Sequence, residues 1–167
     1  MHKLQTLKTK NYRLKTTGFM MVEILVAASI ITASVLAAMA VAQKSIQVSY
    51  QALHTSQASF LLEEGAEAVR IVRDNGWNNV SGLSMSTDYY PLFSSSTWTL
   101  SPNVSQVGIF TRKVNMANVK RNGTTGDISS TGTDDSGTKL FTVTVSWLEG
   151  GRTIIKTLSF YITDIFS

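Results

Sequence analysis

A chain of 167 residues is long enough for one modest domain and an appendage. It has no cysteine, which excludes disulfides, thiolate metal sites and thiol catalysis, and its two histidines, His2 and His54, are too few and too far apart for a histidine zinc site. The net charge of +4 is uneven: residues 1–18 carry Lys3, Lys8, Lys10, Arg13 and Lys15 and no acid, while the remainder sets 10 basic residues against 11 acidic ones, so beyond residue 18 no net positive field favours nucleic acid.

The basic, polar lead-in stops at Gly18. From Phe19 to Ala42 the only charge is Glu23. As a helix this run would be about 36 Å long, enough to cross a hydrocarbon core about 30 Å thick. Ser29, Thr32 and Ser34 are tolerable there, because their hydroxyls can bond back to the preceding turn. The basic flank predicts an N-terminus held in the cytoplasm with the rest exported. Three readings compete. A conventional secretory signal peptide would end at an A-x-A site, and Ala38–Ala40 matches one. The apolar run is long for that, and Glu23 would fall inside its apolar region. A plain anchor explains the span but gives no reason for the acid, since carboxylates in membrane segments are costly and usually paired. The third reading supplies a partner. Cleavage after Gly18 would give Phe19 a new α-amino group four residues from Glu23, about 6 Å along a helix, and a neighbouring subunit's amine could come equally close.

The basic leader, Gly18, Phe19 and then Glu23 in an uninterrupted apolar helix resemble the N-terminus of type IV pilin-like proteins, a family of pilins and of pseudopilins from type II secretion and DNA-uptake machines. The match covers residues 15–42. The resemblance implies that a membrane prepilin peptidase cuts after Gly18 and methylates the amine of Phe19, and that Glu23 pairs with a neighbouring subunit's amine during assembly. It implies as partners copies of the chain and other pilin-like subunits, the peptidase, an inner-membrane assembly platform, and the lipid bilayer before assembly. Two features depart from many members: no proline lies between residues 19 and 90, and no C-terminal disulfide can form.

Residues 43–75 continue a helical pattern. Ile46, Tyr50, Leu53, Phe60, Leu61, Ala68, Ile71 and Val72 recur at spacings of mostly three or four or their multiples. Glu67–Arg70 and Arg70–Asp74 are spaced as helical ion pairs. Gly65 is a helix-weakening residue inside the pattern. Asp74–Trp77 supplies the stop, with Asn75 or Gly76 able to take a left-handed cap. One helix is therefore expected from about Phe19 to about Asn75, about 85 Å in length.

Residues 80–167 change character, with short runs of β-branched and aromatic residues among Ser, Thr, Gly and Asn. Strands are expected near Tyr89–Phe93, Thr97–Leu100, Ile109–Asn118, Lys139–Leu148 and Thr153–Thr163. Alternation places Phe141, Val143, Val145 and Trp147 on one face and Thr142, Thr144 and Ser146 on the other. Gly150 and Gly151 make a hairpin turn, since both accept positive φ. An α+β fold follows: a long N-terminal helix, half transmembrane and half amphipathic, packed on a C-terminal antiparallel β-sheet. The expected divisions are a leader over 1–18 that is removed, the membrane or filament-core half of the helix over 19–42, its amphipathic half over 43–76, and a β-rich head over 77–167.

Residues 122–138 read as a long polar loop. Asp127, Asp134 and Asp135 within it are oxygen donors of the kind Ca²⁺ takes. Some pseudopilins bind calcium in this general region, although the spacing matches no EF-hand, and a solvated loop is the alternative. Arg112, Lys113, Lys120 and Arg121 are the one basic cluster outside the leader. They read as a solvated strand edge, with contact to nucleic-acid phosphates as the other reading, one not expected. Trp77, Trp98 and Trp147 read as core or helix–sheet contacts, and His54 as a solvated or interface residue. There is no Gly-rich phosphate loop, no G-x-S-x-G and no paired-carboxylate motif. The expectation is a structural subunit, not an enzyme, with no cofactor. Its place is the cytoplasmic membrane and then a surface or periplasm-spanning filament. The alternative function is an exported or membrane-anchored β domain for adhesion or binding.

Overall fold

The computed structural model describes residues 17–165. The leader expected over 1–18, with its five cations and His2, therefore lies outside the described residues up to residue 16. The elements in chain order are α1 (Thr17–Asp74), α2 (Asn78–Ser81), β1 (Tyr90–Ser94), β2 (Thr97–Ser101), β3 (Gln106–Val107), β4 (Phe110–Arg121), β5 (Ile128–Ser129), β6 (Thr133–Glu149) and β7 (Arg152–Thr163). The class is α+β. The chain divides into two units, Met1–Val48 and Ser49–Ser167.

In the first unit α1 is apolar and exposed on every side. Phe19 is 87% exposed and Ile24 68%. The hydroxyls of Ser29, Thr32 and Ser34 donate to the carbonyls of Val26, Ala28 and Ile30 at 2.7–2.8 Å. Their polar atoms are thus satisfied within the helix, as the sequence suggested. The segment is long and apolar enough to cross a membrane, and none of its apolar stretch is buried within the chain.

In the second unit the rest of α1 lies on an antiparallel sheet ordered β3-β4-β6-β7, with β5 paired to β4. The α1 residues in the core are Ala58, Leu62, Val69 and Val72; Ala66 and Ala68 are also buried. This corrects the expected stripe. Leu61, Ala68 and Val72 do face inward, but Phe60 is 68% exposed, and Tyr50, Leu53 and Ile71 are exposed as well. The reason is close approach. A Cβ on Gly65 would sit 2.7 Å from Val143 Cγ1 and 3.3 Å from Arg112 Cδ. The helix backbone rests almost on the sheet, so the buried stripe is built of small residues. Gly65 is therefore a contact point rather than a tolerated weakness. Arg70 pairs with Glu67 as expected, whereas Asp74 is taken by Arg73 at 2.8 Å. The helix ends at Asp74, and Gly76 follows at φ +140°.

The sheet face under α1 holds Phe110, Val114 and Met116 of β4, Phe141, Val143, Val145 and Trp147 of β6, and Ile162 of β7. The alternation expected in β6 is thus observed. Gly150 and Gly151, at φ +57° and +78°, close the two-residue β6–β7 turn. The smaller β1–β2 hairpin turns at Ser95 and Ser96, both at positive φ.

The loop expected over 122–138 is corrected. β5 and the start of β6 lie inside it, and Thr133, Asp134 and Asp135 pair with Arg121, Lys120 and Val119 of β4. A register shift separates these pairs from Asn118↔Lys139, so Ser136, Gly137 and Thr138 form a bulge. Thr138 is buried there and accepts from Arg121. Polar residues thus make strand here because the ladder and side-chain ion pairs hold them, with no apolar face to reveal it.

Candidate functional site

The residues singled out at the N-terminus share one stretch of α1. Gly18 and Phe19 lie in its first turn and Glu23 in the next. Phe19, Val22, Glu23, Val26, Ala27 and Ile30 frame a shallow groove of about 440 Å³ along the helix. Glu23 is the one ionisable side chain in it. It is exposed, and among the described residues no cation reaches it. Four residues separate it from Phe19, about 6 Å of helix rise. The chemistry of this stripe is simple: an apolar surface with a single anion, one helical turn from Phe19.

The basic residues of β4 form no free patch. Arg112 is 4% exposed and lies on the core face of the sheet. Its guanidinium pairs with Glu64 of α1, donates to the Pro91 carbonyl at 3.4 Å, and lies 5.4 Å from the Trp98 ring centroid. Lys113 donates to Asp88 at 2.8 Å, and Asn115 donates to the other oxygen of Asp88 at 2.7 Å and to the Thr87 carbonyl at 3.1 Å. Those hydrogen bonds, Lys113 first, hold the Asp88 carboxyl below the usual carboxylate range. Arg121 donates to Asp135 at 2.6 Å and to the Gly126 carbonyl at 2.9 Å. Lys120 lies 4.0 Å from Asp134. The solvated-edge reading is thereby corrected. β4 is flanked by β6 on one side and by β3 and β5 on the other, and its cations tie α1, the 87–91 segment and the β5 turn to the sheet. Arg112 was legible in principle, since alternation with Phe110, Val114 and Met116 already places it on the apolar face.

The carboxylates considered for calcium are not brought together. Asp135 is held by Arg121, whose hydrogen bond lowers its carboxyl with help from Thr138 and the Gly137 N–H. Asp134 faces Lys120. Among the described residues no three His, Asp or Glu side chains are grouped as cation ligands. His54 is half-buried rather than solvated. Its Nδ1 is 3.4 Å from Glu149 Oε1, and the ring meets Phe110 edge-on at 6.2 Å. Trp147 Nε1 donates to Glu149 Oε2 at 3.0 Å, so Glu149 joins α1 to the end of β6. Trp147 is a buried helix–sheet contact, and Trp77 and Trp98 pack partly buried against the core.

No family model, curated protein or solved structure matches the chain.

Proposed function

We propose that the chain is a pilin-like structural subunit, a minor pilin or pseudopilin, that polymerises through the first part of α1 into a type IV pilus or a related secretion or DNA-uptake filament. One observation carries the reading. An exposed apolar helix presents a single carboxylate, Glu23, one turn beyond a Gly-Phe pair, and the chain offers that carboxylate no cation among its described residues. A long N-terminal apolar helix whose later part packs on an antiparallel sheet is also the architecture such a subunit needs. Before assembly the lipid bilayer covers the apolar surface. In a filament the helices of neighbouring subunits replace the lipid. Burying an unpaired carboxylate costs several kcal/mol, and pairing with a cationic amine offsets much of that cost. The Phe19 amine of a neighbour, methylated after cleavage, is the cation this reading assigns, and the pair acts as a register device.

The decisive experiment has two parts. Mass measurement and N-terminal sequencing of the mature protein should give a chain that begins at Phe19 with a methylated amine. A start at Val41 or Gln43 would instead establish the exported β domain with a conventional signal peptide. Glu23→Val should be cleaved and retained in the membrane like wild type, yet be missing from sheared filaments when it is the only copy. Equal recovery of both proteins in filaments rejects the pairing role.

A further inference from the structure

β7 is an edge strand, and it lacks most of the devices that keep edges apart. It pairs with β6 along all 12 of its residues, and no other strand borders it among the described residues. Sheet edges offer a row of unpaired N–H and C=O groups, which proteins usually blunt with proline, bulges, short strands or charges. β7 contains no proline, its register with β6 is unbroken, and its only charges are Arg152 at its first position and Lys156. On the face away from α1 it exposes Ile155 (59%) and Tyr161 (50%).

The sequence of this edge is self-complementary. We propose that β7 docks a second copy of the chain, strand against antiparallel strand, about a two-fold axis at Leu158. That axis keeps the α1-bearing faces of both sheets on the same side, so residues of one face meet only residues of that face. Centred on Leu158, the register sets Ile154 opposite Ile162, Ile155 opposite Tyr161, Thr157 opposite Ser159, and Thr153 opposite Thr163. At the ends Arg152 meets Asp164, opposite in sign. Lys156 meets Phe160, whose ring is held within its own chain by Arg70 and Phe141, and so avoids its own copy. A shift of two residues either way spoils the match: centring on Thr157 sets Lys156 against Leu158 and Ile155 against Ser159, and centring on Ser159 sets Ile154 against Asp164. Register is strongly specified when cross-strand partners match in this way. The contact is isologous and closes on itself. It makes pairs, not filaments, and does not rest on the polymer role of α1.

The absence of cysteine gives a clean test, because an introduced thiol is the only one. Residues directly opposite across an antiparallel pair have Cα atoms about 4.5–5.5 Å apart, within the roughly 4.4–6.8 Å that a disulfide spans. Full-length protein in detergent carrying Leu158→Cys should oxidise to a disulfide-linked dimer as the main species. Thr157→Cys mixed with Ser159→Cys should give the linked heterodimer. This second pair lies on the face away from α1, so it stands even if Leu158→Cys fails to fold. Arg152→Cys alone should stay monomeric, since its two copies would lie about 40 Å apart. Adding Glu23→Val should leave every yield unchanged. No dimer from the Thr157/Ser159 mixture, equal dimer at Arg152, or loss of dimer with Glu23→Val would each overturn the proposal.

Discussion

α1 behaves as two different helices, and the contrast shows what each half must find. In residues 19–48 the large side chains are exposed, and nothing within the described chain buries the apolar stretch. In residues 58–72 the buried residues are mostly small, and the partner is the chain's own sheet. Large apolar side chains on all sides suit a solvent of lipid tails or a bundle of like helices. Small ones let a backbone approach a single fixed surface, as Gly65 does against Val143. The same secondary structure thus carries two compositions, one exposed over its whole surface and one buried against the sheet on folding.

The largest expected effect comes from truncating one large apolar side chain in each unit. Phe141 is fully buried under α1, stacked near Phe160. Phe141→Ala should destabilise the second unit by about 3–5 kcal/mol. Leu36→Ala, at an exposed position of the first half, should change thermal unfolding of the full chain in detergent by less than about 0.5 kcal/mol. Equal losses in the two variants would erase the contrast.

A smaller effect tests the close approach itself. Gly65→Ala normally strengthens a helix by up to about 1 kcal/mol. Here the added Cβ would collide with Val143 Cγ1, and overpacking costs about 1–3 kcal/mol. A net loss of stability is expected, with partial rescue by Val143→Ala in the same chain. A gain in melting temperature for Gly65→Ala alone would show that α1 does not sit on the sheet.

The sequence revealed the elements that carry a period. β6 and β7 alternate, Gly150 and Gly151 mark their turn, and an uninterrupted apolar run marks α1. It concealed structure held by polar contacts. β5 and the first residues of β6 have no apolar face, so only ion pairs such as Arg121–Asp135 explain them. Part of the buried stripe of α1 was missed, because a count of large apolar residues favours Phe60 and Ile71 over Ala58, Gly65 and Ala66. Arg112 was taken for a surface cation because residue type was given more weight than strand phase. At the N-terminus the sequence singles out Gly18, Phe19 and Glu23 and suggests a neighbouring subunit's amine as the cation for Glu23. That pairing needs a second chain, so the fold of one chain does not test it.

The smallest expected effect sharpens the contrast by its chemistry. The apolar half of α1 has no carboxylate besides Glu23, whereas the second unit ties its segments with paired acids. Asp88 and Asp135 both titrate below their ordinary value in the folded chain, held by Lys113 and Arg121 respectively. A carboxylate whose folded pKa is depressed binds fewer protons folded than unfolded between the two values. Its stabilisation is therefore complete above the unfolded value of about 3.9 and is lost as pH falls through the folded one. Both pairs are near the surface, so each is worth at most about 1 kcal/mol. In Asp88→Asn/Asp135→Asn the melting temperature should fall at pH 7 and fall by less at pH 3. The difference between the two pH values should narrow by about 2–4 °C. All other acids are the same in the two proteins, so the narrowing isolates the two aspartates. An unchanged pH dependence in the double variant would mean that these ion pairs do not hold the β4 contacts in solution.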